Sequence, residues 1–300
     1  MKILKLSLLS FSLLFLFNCK KEEPTKNTTS KTEEATEPEF HKEYYGIYTG
    51  DFEGTEKTKD EVDGEVYDLF SVKKLYLKIN RITKDSVYGH TTVNGKQRPF
   101  RGILNNDTKS FILDEPGNDK TDGRFEIKLE KDSVKGKWTP FNSSAVKADF
   151  KTLKLAKKEF AYNPNLMISP NMEYIDWDTP KEFKESYEDE DGKTQYYNSS
   201  KNRVSTDAIF NLNASKNKLT EKQLKNLNKL DLEIIKNTVY ARHGYNFKNK
   251  TFRYFFEASD WYVPMSDNVD AELSPIEKEN VALLNRFAKY AEDKYESFSR

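Results

Sequence analysis

The stretch from residue 123 to residue 138, GRFEIKLEKDSVKGKW, decides the fold of the first half of this chain. Phe125, Ile127 and Leu129 alternate with charged residues, and the same alternation resumes at Val134 after a short connection. Apolar residues at every second position place one face of an extended strand in a core and the other face in water. The stretch therefore predicts two neighbouring antiparallel strands.

The same alternation recurs through residues 43–160. Asn94-Gly95 and Asp122-Gly123 separate the alternating runs, and such pairs supply the positive φ angles of tight hairpin turns. Eight short antiparallel strands in sequence favour an up-and-down barrel with a lipocalin-like or calycin-like meander; a two-sheet sandwich is the alternative. The predicted strands lie near 44–52, 66–82, 86–93, 97–104, 109–115, 123–130, 133–139 and 146–157.

Glycines inside these predicted strands, at positions 46, 50, 89, 102 and 136, indicate bulges or bends where a small barrel curves. An eight-stranded barrel is either filled by its own side chains or holds one small ligand. We expect a filled interior, because side chains commonly fill barrels of this size. A ligand pocket would have to use aromatic residues among Tyr48, Phe52, Tyr88, Phe100 and Trp138.

Residues 219–300 have helical spacing instead and predict a small C-terminal helical domain, which makes the chain α+β. A capping box at Thr220–Gln223 begins the first helix. A second helix runs from about residue 231 to 243, and Gly244 ends it, since glycine most easily takes the left-handed conformation there. A third helix covers about 251–258. Ser274-Pro275 begins a fourth, which we predict to continue to near Phe298.

Residues 161–218 connect the two parts and carry weak signals. The acidic run Glu188–Gly192 lacks the spaced ligands and final glutamate of a calcium loop, so it predicts a solvated hairpin tip. Val204 to Leu212 predicts one more strand joining the two parts.

The N-terminus carries an export signal. A basic start precedes an apolar run from Leu6 to Phe17, which is too short to span a bilayer and predicts a signal peptide over residues 1–18. Cys19, the single cysteine of the chain, follows at once and looks like the acylated residue of a lipobox. Lys20 in the next position resembles lipoproteins sorted to the outer membrane, and the Lys20–Glu23 run is similar to signals of surface-exposed lipoproteins.

Residues 20–42 follow the acylated cysteine and are almost free of apolar side chains, so they predict a disordered segment. Together with Cys19 they form the predicted tether, residues 19–42. With Cys19 used for lipid, neither a disulfide nor a thiolate metal site is expected.

Composition excludes several function classes. The chain has 300 residues with 49 basic and 49 acidic side chains, and this balance lacks the excess of basic charge that nucleic-acid binders use. Its three histidines are far apart, and no HExxH, CxxC, GxSxG or phosphate-loop pattern occurs. We therefore expect a non-catalytic protein without a metal or cofactor and without a nucleic-acid partner.

The most specific motif lies in the helical half. Tyr240-Ala241-Arg242-His243-Gly244 reproduces the signature of the YARHG family, and Asn237, Tyr245–Lys248 and the Trp261-Tyr262 pair also resemble that family. The family is a small helical domain of exported bacterial proteins. The resemblance implies an extracytoplasmic location and a presumed role in recognising the cell wall or the cell surface.

This motif supplies the candidate ligand-binding residues Asn237, Tyr240, Arg242, His243, Trp261 and Tyr262. In the binding interpretation, exposed aromatic rings stack on sugars while Asn237 and Arg242 donate hydrogen bonds. In the structural interpretation, Arg242 pairs with Asp260 or Glu233. The aromatic pair then fills the core, and His243 caps helix carbonyls.

Three functions follow in order of preference. The first is a membrane-anchored lipoprotein of the cell envelope that binds peptidoglycan or surface polysaccharide through the YARHG-like domain. The second is a small-ligand carrier that uses the barrel. The third is a cell-wall hydrolase in which Asp260 or Glu233 would act with His243.

Overall fold

The computed structural model describes residues 37–60, 63–146, 148–170 and 174–298. The predicted signal peptide, Cys19 and residues 20–36 of the predicted tether lie outside the described residues. From Pro38 onward the chain packs into one compact unit.

Eight antiparallel strands form a closed barrel in which each strand pairs with the next and the last pairs with the first. The predicted barrel is therefore confirmed, and the sandwich alternative is wrong. The strands are β1 (Gly46–Lys59), β2 (Val66–Ile82), β3 (Val87–Val93), β4 (Lys96–Asn105), β5 (Ser110–Asp114), β6 (Gly123–Glu130), β7 (Ser133–Pro140) and β8 (Lys151–Lys158).

Apolar side chains at every second strand position fill the barrel. In β6, Phe125, Ile127 and Leu129 are buried while the residues between them are exposed. Their side chains meet those of Leu75 and Leu77 from β2 in a single apolar core. The prediction of a filled interior holds for most of the barrel; a cavity remains at one end.

Helices and a second sheet follow the barrel. The helices are α1 (Ala208–Asn211), α2 (Glu221–Leu224), α3 (Lys229–Arg242), α4 (Lys250–Glu257) and α5 (Pro275–Ala288). Their core is rich in aromatic rings, and Phe256 at its centre stacks on Phe247 with ring centroids 4.8 Å apart. Among the described residues, no helix is long and apolar enough to cross a membrane.

Two predictions of secondary structure need correction. Val204–Leu212 is not a strand: residue 204 ends a strand, and α1 begins at Ala208. The fourth predicted helix, α5, ends at Ala288 rather than near Phe298, and a short strand follows. The second sheet consists of β9 (Ile175–Glu188), β10 (Thr194–Val204) and β11 (Lys294–Glu296) in the order β11-β10-β9. The acidic run forms the tip of the β9–β10 hairpin, as predicted.

The barrel contacts the helical part at the β3–β4 turn. Asn246 and Lys248 both donate side-chain hydrogen bonds to the carbonyl oxygen of Gly95, at 3.1 and 2.7 Å. Gly95 has φ +72°, and a Cβ there would lie 2.4 Å from the carbonyl oxygen of Phe247. The Asn-Gly turn is thus needed both for the hairpin and for this contact.

A titrating carboxyl of the helical part lies near strand β2 of the barrel. Burial raises the pKa of Glu257, the last residue of α4, to about 7, close to the buried Tyr76 of β2. The folded protein then binds a proton that the unfolded chain releases, so this group costs stability as pH rises from about 4.5 to 7. We expect Glu257→Gln to raise the free energy of unfolding by about 2 kcal/mol at pH 8 and to change it little at pH 4.

Urea denaturation of both proteins at the two pH values measures this difference. Glu279→Gln, at an exposed residue of α5 paired with Lys218, is the matched control and should leave stability nearly unchanged at both. A gain from Glu257→Gln that is equal at pH 4 and pH 8 would contradict the titration.

Candidate functional site

The signature pentapeptide forms the last turn of α3 and its end. A capping box between Asn228 and Asp231 begins the helix, which ends at Arg242 with His243 as the C-cap. Gly244 follows with φ +71°, as predicted, and a Cβ there would lie 2.7 Å from the side chain of Met265. Glycine is therefore needed both to end the helix and to let the later loop approach it.

Arg242 is buried, with 1% of its surface exposed, and binds main-chain and neutral groups. Its Nε donates to the carbonyl oxygen of Leu166 at 2.7 Å, and Nη1 donates to Oγ of Ser215 at 3.0 Å. Burial lowers the pKa of Arg242 to about 10, which leaves the guanidinium charged at neutral pH. The predicted pairing with Asp260 or Glu233 is wrong.

His243 forms a buried pair with a carboxylate. Its Nε2 lies 2.9 Å from Oε2 of Glu277, and its ring stacks on Tyr162 with centroids 4.3 Å apart. The hydroxyl of Tyr162 donates to the other oxygen of Glu277 at 3.0 Å. The side chains of His243 and Glu277 are 5% and 0% exposed, so this pair has little access to a substrate.

Glu277 has a second role as the third residue of the α5 capping box. Its Oε2 accepts from the backbone N–H of Ser274 at 2.9 Å. Burial by itself would raise the pKa of Glu277, but hydrogen bonds from Ser215, the Ser274 N–H and His243 outweigh it and lower this pKa. The carboxylate therefore holds α3, α5 and the chain around Tyr162 together in its charged form.

Trp261 and Tyr262 also bind backbone. Nε1 of Trp261 donates to the carbonyl oxygen of Met167 at 3.2 Å, and the hydroxyl of Tyr262 donates to the carbonyl oxygen of Tyr245 at 2.8 Å. Residues 162–168, here named the strap, therefore receive contacts from Arg242, His243 and Trp261. These three side chains fasten the segment that leaves the barrel onto the helical core.

Asn237 and Tyr240 lie elsewhere, facing solvent. They line a surface pocket of about 350 Å³, here named the tyrosine pocket. The Tyr240 ring meets Tyr245 at a centroid distance of 5.8 Å and an angle of 60°. Polar groups surround the two rings, from Lys236, Asp267, Asn268, Asp270 and Asn285. The six predicted residues thus form two groups. Four of them make contacts inside the protein: Arg242, His243, Trp261 and Tyr262. The other two, Asn237 and Tyr240, line an open pocket.

Other residues of the tyrosine pocket were not predicted from the sequence. Asp267 and Asp270 reach the pocket because a bridge between Tyr245 and Ser266 draws the later loop against the end of α3. Nothing in the local sequence of that loop signals this contact. Tyr245 itself was part of the family resemblance and could have been chosen as a candidate.

Larger cavities lie elsewhere in the described part of the chain. A groove of about 700 Å³ runs between α2 and the end of α5, with the exposed Tyr290 on its rim. A cavity of about 450 Å³ opens at one end of the barrel. Neither contains any of the six predicted residues.

Comparison with known families identifies the helical half. The YARHG domain family model matches residues 207–289, so the chain carries a C-terminal YARHG domain, and the predicted domain is confirmed. The match begins at α1, earlier than the predicted boundary at residue 219, and includes all six candidate residues. No curated protein matches the chain, and no solved structure matches it. YARHG domains are typical of extracellular or periplasmic proteins, which agrees with an extracytoplasmic location.

Proposed function

We propose that this chain is a non-catalytic lipoprotein of the bacterial cell envelope that binds cell-wall or surface glycan in the tyrosine pocket. The observation that carries the proposal is the division of the signature residues. Arg242, His243 and Tyr262 bind the protein's own groups, whereas Asn237 and Tyr240 face solvent beside a second tyrosine.

The chemistry of the pocket suits a sugar. Aromatic faces stack against the C–H face of a sugar ring, and a few placed polar groups read its hydroxyls. Burial and the nearby Asp270 raise the pKa of Tyr240, so its hydroxyl stays protonated and can donate. Asn237 and Asn285 each offer a donor and an acceptor, while Asp267 and Asp270 accept from hydroxyls.

Binding by the full-length protein, measured by co-sedimentation with purified peptidoglycan and with surface polysaccharide, tests this site. We expect Asn237→Ala and Tyr240→Ala each to weaken binding about tenfold, which corresponds to about 1.4 kcal/mol. Their thermal midpoints should change little, because both side chains are partly exposed.

Tyr290→Ala provides the matched control, since it removes an exposed tyrosine from the larger groove. Its binding should equal that of the wild type. Loss of binding in this variant, with full binding in the two pocket variants, would place the site in the groove instead. Failure of the wild type to bind either polymer would reject the glycan proposal.

The membrane anchor is proposed from the sequence, with acylation at Cys19. In cells supplied with an alkyne fatty acid, the wild type should take up the label and sediment with membranes. Cys19→Ser should lose both properties, because no other cysteine can be acylated. Lys20→Ser changes the neighbouring residue and should keep the label. Label that persists in Cys19→Ser would reject the anchor.

A further inference from the structure

The cavity at the end of the barrel, here named the barrel mouth, has an aromatic floor. Phe52, Phe125 and Trp138 line it, with the rings of Phe52 and Trp138 5.8 Å apart. Its volume of about 450 Å³ lies within the range of about 300–1,000 Å³ typical of small-ligand sites. The space is large enough for the apolar part of a small molecule.

Above this floor the lining is basic. Lys73, Lys96, Arg98 and Lys151 all border the cavity. Lys151 is buried, with 4% of its surface exposed, and its Nζ lies 2.5 Å from Oε1 of Glu56. Lys73 lies 2.8 Å from the same oxygen. One carboxylate thus faces two ammonium groups, and this corner keeps an excess of positive charge.

The acidic groups nearby are bound to the protein itself. Glu115 accepts from the backbone N–H of Gly123 at 2.8 Å and from Nε1 of Trp138 at 3.2 Å. Burial raises the pKa of Glu115 above its usual range. Asp122 accepts from the backbone N–H groups of Gly117 and Asp119 and pairs with Arg98 at 3.3 Å, while the carboxylate of Asp119 pairs with Lys96. Lys96 and Arg98 therefore have carboxylate partners of their own, and the excess of positive charge lies with Lys73 and Lys151, which share Glu56.

A β-hairpin extends the site outward. Strand β1 pairs with β8 only as far as Glu53, and β2 pairs with β3 only from Leu75, so the rest of the β1–β2 hairpin projects beyond the barrel. Side-chain alternation puts Tyr67 and Leu69 on the same face of β2 as Lys73. Both are about half exposed. The apolar surface of the mouth therefore continues along this arm.

We infer that the barrel mouth binds a small amphiphile with an anionic carboxylate or phosphate head. The apolar body packs on Phe52, Phe125 and Trp138, and the head contacts Lys73 and Lys96 at the rim. An anionic head would complete the charge balance of Lys73 and Lys151, which share the single carboxylate of Glu56, whereas a neutral or cationic head would not. This inference gives the barrel a binding activity of its own and is independent of glycan binding by the YARHG domain.

Titration of the full-length protein with decanoate and with decyl phosphate, below their micellar concentrations, tests the inference. Trp138 fluorescence should change saturably with both probes, and calorimetry should give matching affinities. Decanol and decyltrimethylammonium should bind at least tenfold more weakly. Trp138→Phe should remove the fluorescence change, which would assign the signal to Trp138 and not to the other two of the three tryptophans. Comparison of the carboxylate with the phosphate identifies the preferred head group.

Two neighbouring lysines of β2 supply a matched pair. Lys73→Gln should weaken decanoate binding at least fivefold. Lys74→Gln should not, because Lys74 points to the outside of the barrel and pairs with Asp51 at 2.7 Å. Lys96→Gln, at a more exposed residue, should repeat the loss without a risk to folding. Equal binding of decanol and decanoate, equal effects of the two β2 variants, or calorimetric binding with no response of Trp138 would overturn the inference.

Discussion

Replacement of Arg242 by methionine should lower the free energy of unfolding by about 4 kcal/mol. Methionine fills part of the space but donates no hydrogen bond. The carbonyl oxygen of Leu166 and the hydroxyl of Ser215 each lose a charged donor, although Ser215 keeps its hydrogen bond to Glu277. Each hydrogen bond from a charged group is worth about 1.5–3 kcal/mol. The strap should then detach from the helical core.

Urea denaturation followed by circular dichroism measures the loss, and Trp261 fluorescence reports on the strap, because its indole N–H binds Met167. Arg286→Met is the matched control: this arginine is exposed on α5 and pairs with Glu221 at the surface. Its effect should stay within about 0.5 kcal/mol. If the Arg242→Met protein kept normal stability but lost glycan binding, Arg242 would be a ligand-binding residue and not a structural one.

The barrel could be predicted because its signals are local. The alternation of apolar residues and the turn dipeptides lie within a few residues of each other, and the predicted bounds of β2 and β6 agree with the structure. The tip of the β9–β10 hairpin was predicted but its two strands were not, because most of their side chains are exposed, including Tyr187, Tyr196 and Tyr197. Without a buried face, the strands show little period-2 alternation.

The candidate site was predicted less completely, for a different reason. The family signature identified the residues, but their partners are distant backbone atoms that no side-chain pattern encodes. Arg242 binds the carbonyl oxygen of a residue 76 positions earlier, and Trp261 binds one 94 positions earlier. Glu277 belongs to the capping box of α5, but its contact with His243 depends on how α3 and α5 pack.

The strand glycines were predicted to mark bends, and the structure gives the reason. At Gly50, Gly89, Gly102 and Gly136, a Cβ would lie 2.0–2.2 Å from a carbonyl oxygen of the neighbouring strand. Real Cβ atoms do not approach a carbonyl oxygen so closely. Closure of this small barrel therefore depends on positions without a side chain.

The second large effect is accordingly expected for Gly89→Val. Gly89 faces Ile79 beside a bulge in β2, where a Cβ would lie 2.0 Å from the carbonyl oxygen of Lys78 and 2.4 Å from the Phe100 ring. The strands must separate, or the Phe100 ring must leave the core, and we expect a loss of about 3–4 kcal/mol. Urea denaturation followed by Trp138 fluorescence, which reports on the barrel core, measures it.

A graded pair of alanine variants separates steric conflict from a general effect of replacing glycine. Gly89→Ala should still cost about 2 kcal/mol, because the Cβ alone meets backbone. Gly54→Ala lies on the projecting hairpin, where the Cβ would meet the flexible side chain of Lys151 at 2.8 Å and a carbonyl oxygen at 2.9 Å, and it should cost less. If the two variants were equally stable, the close approach at Gly89 would not be what closes the barrel, and the bend would have to come from the bulge in β2 instead.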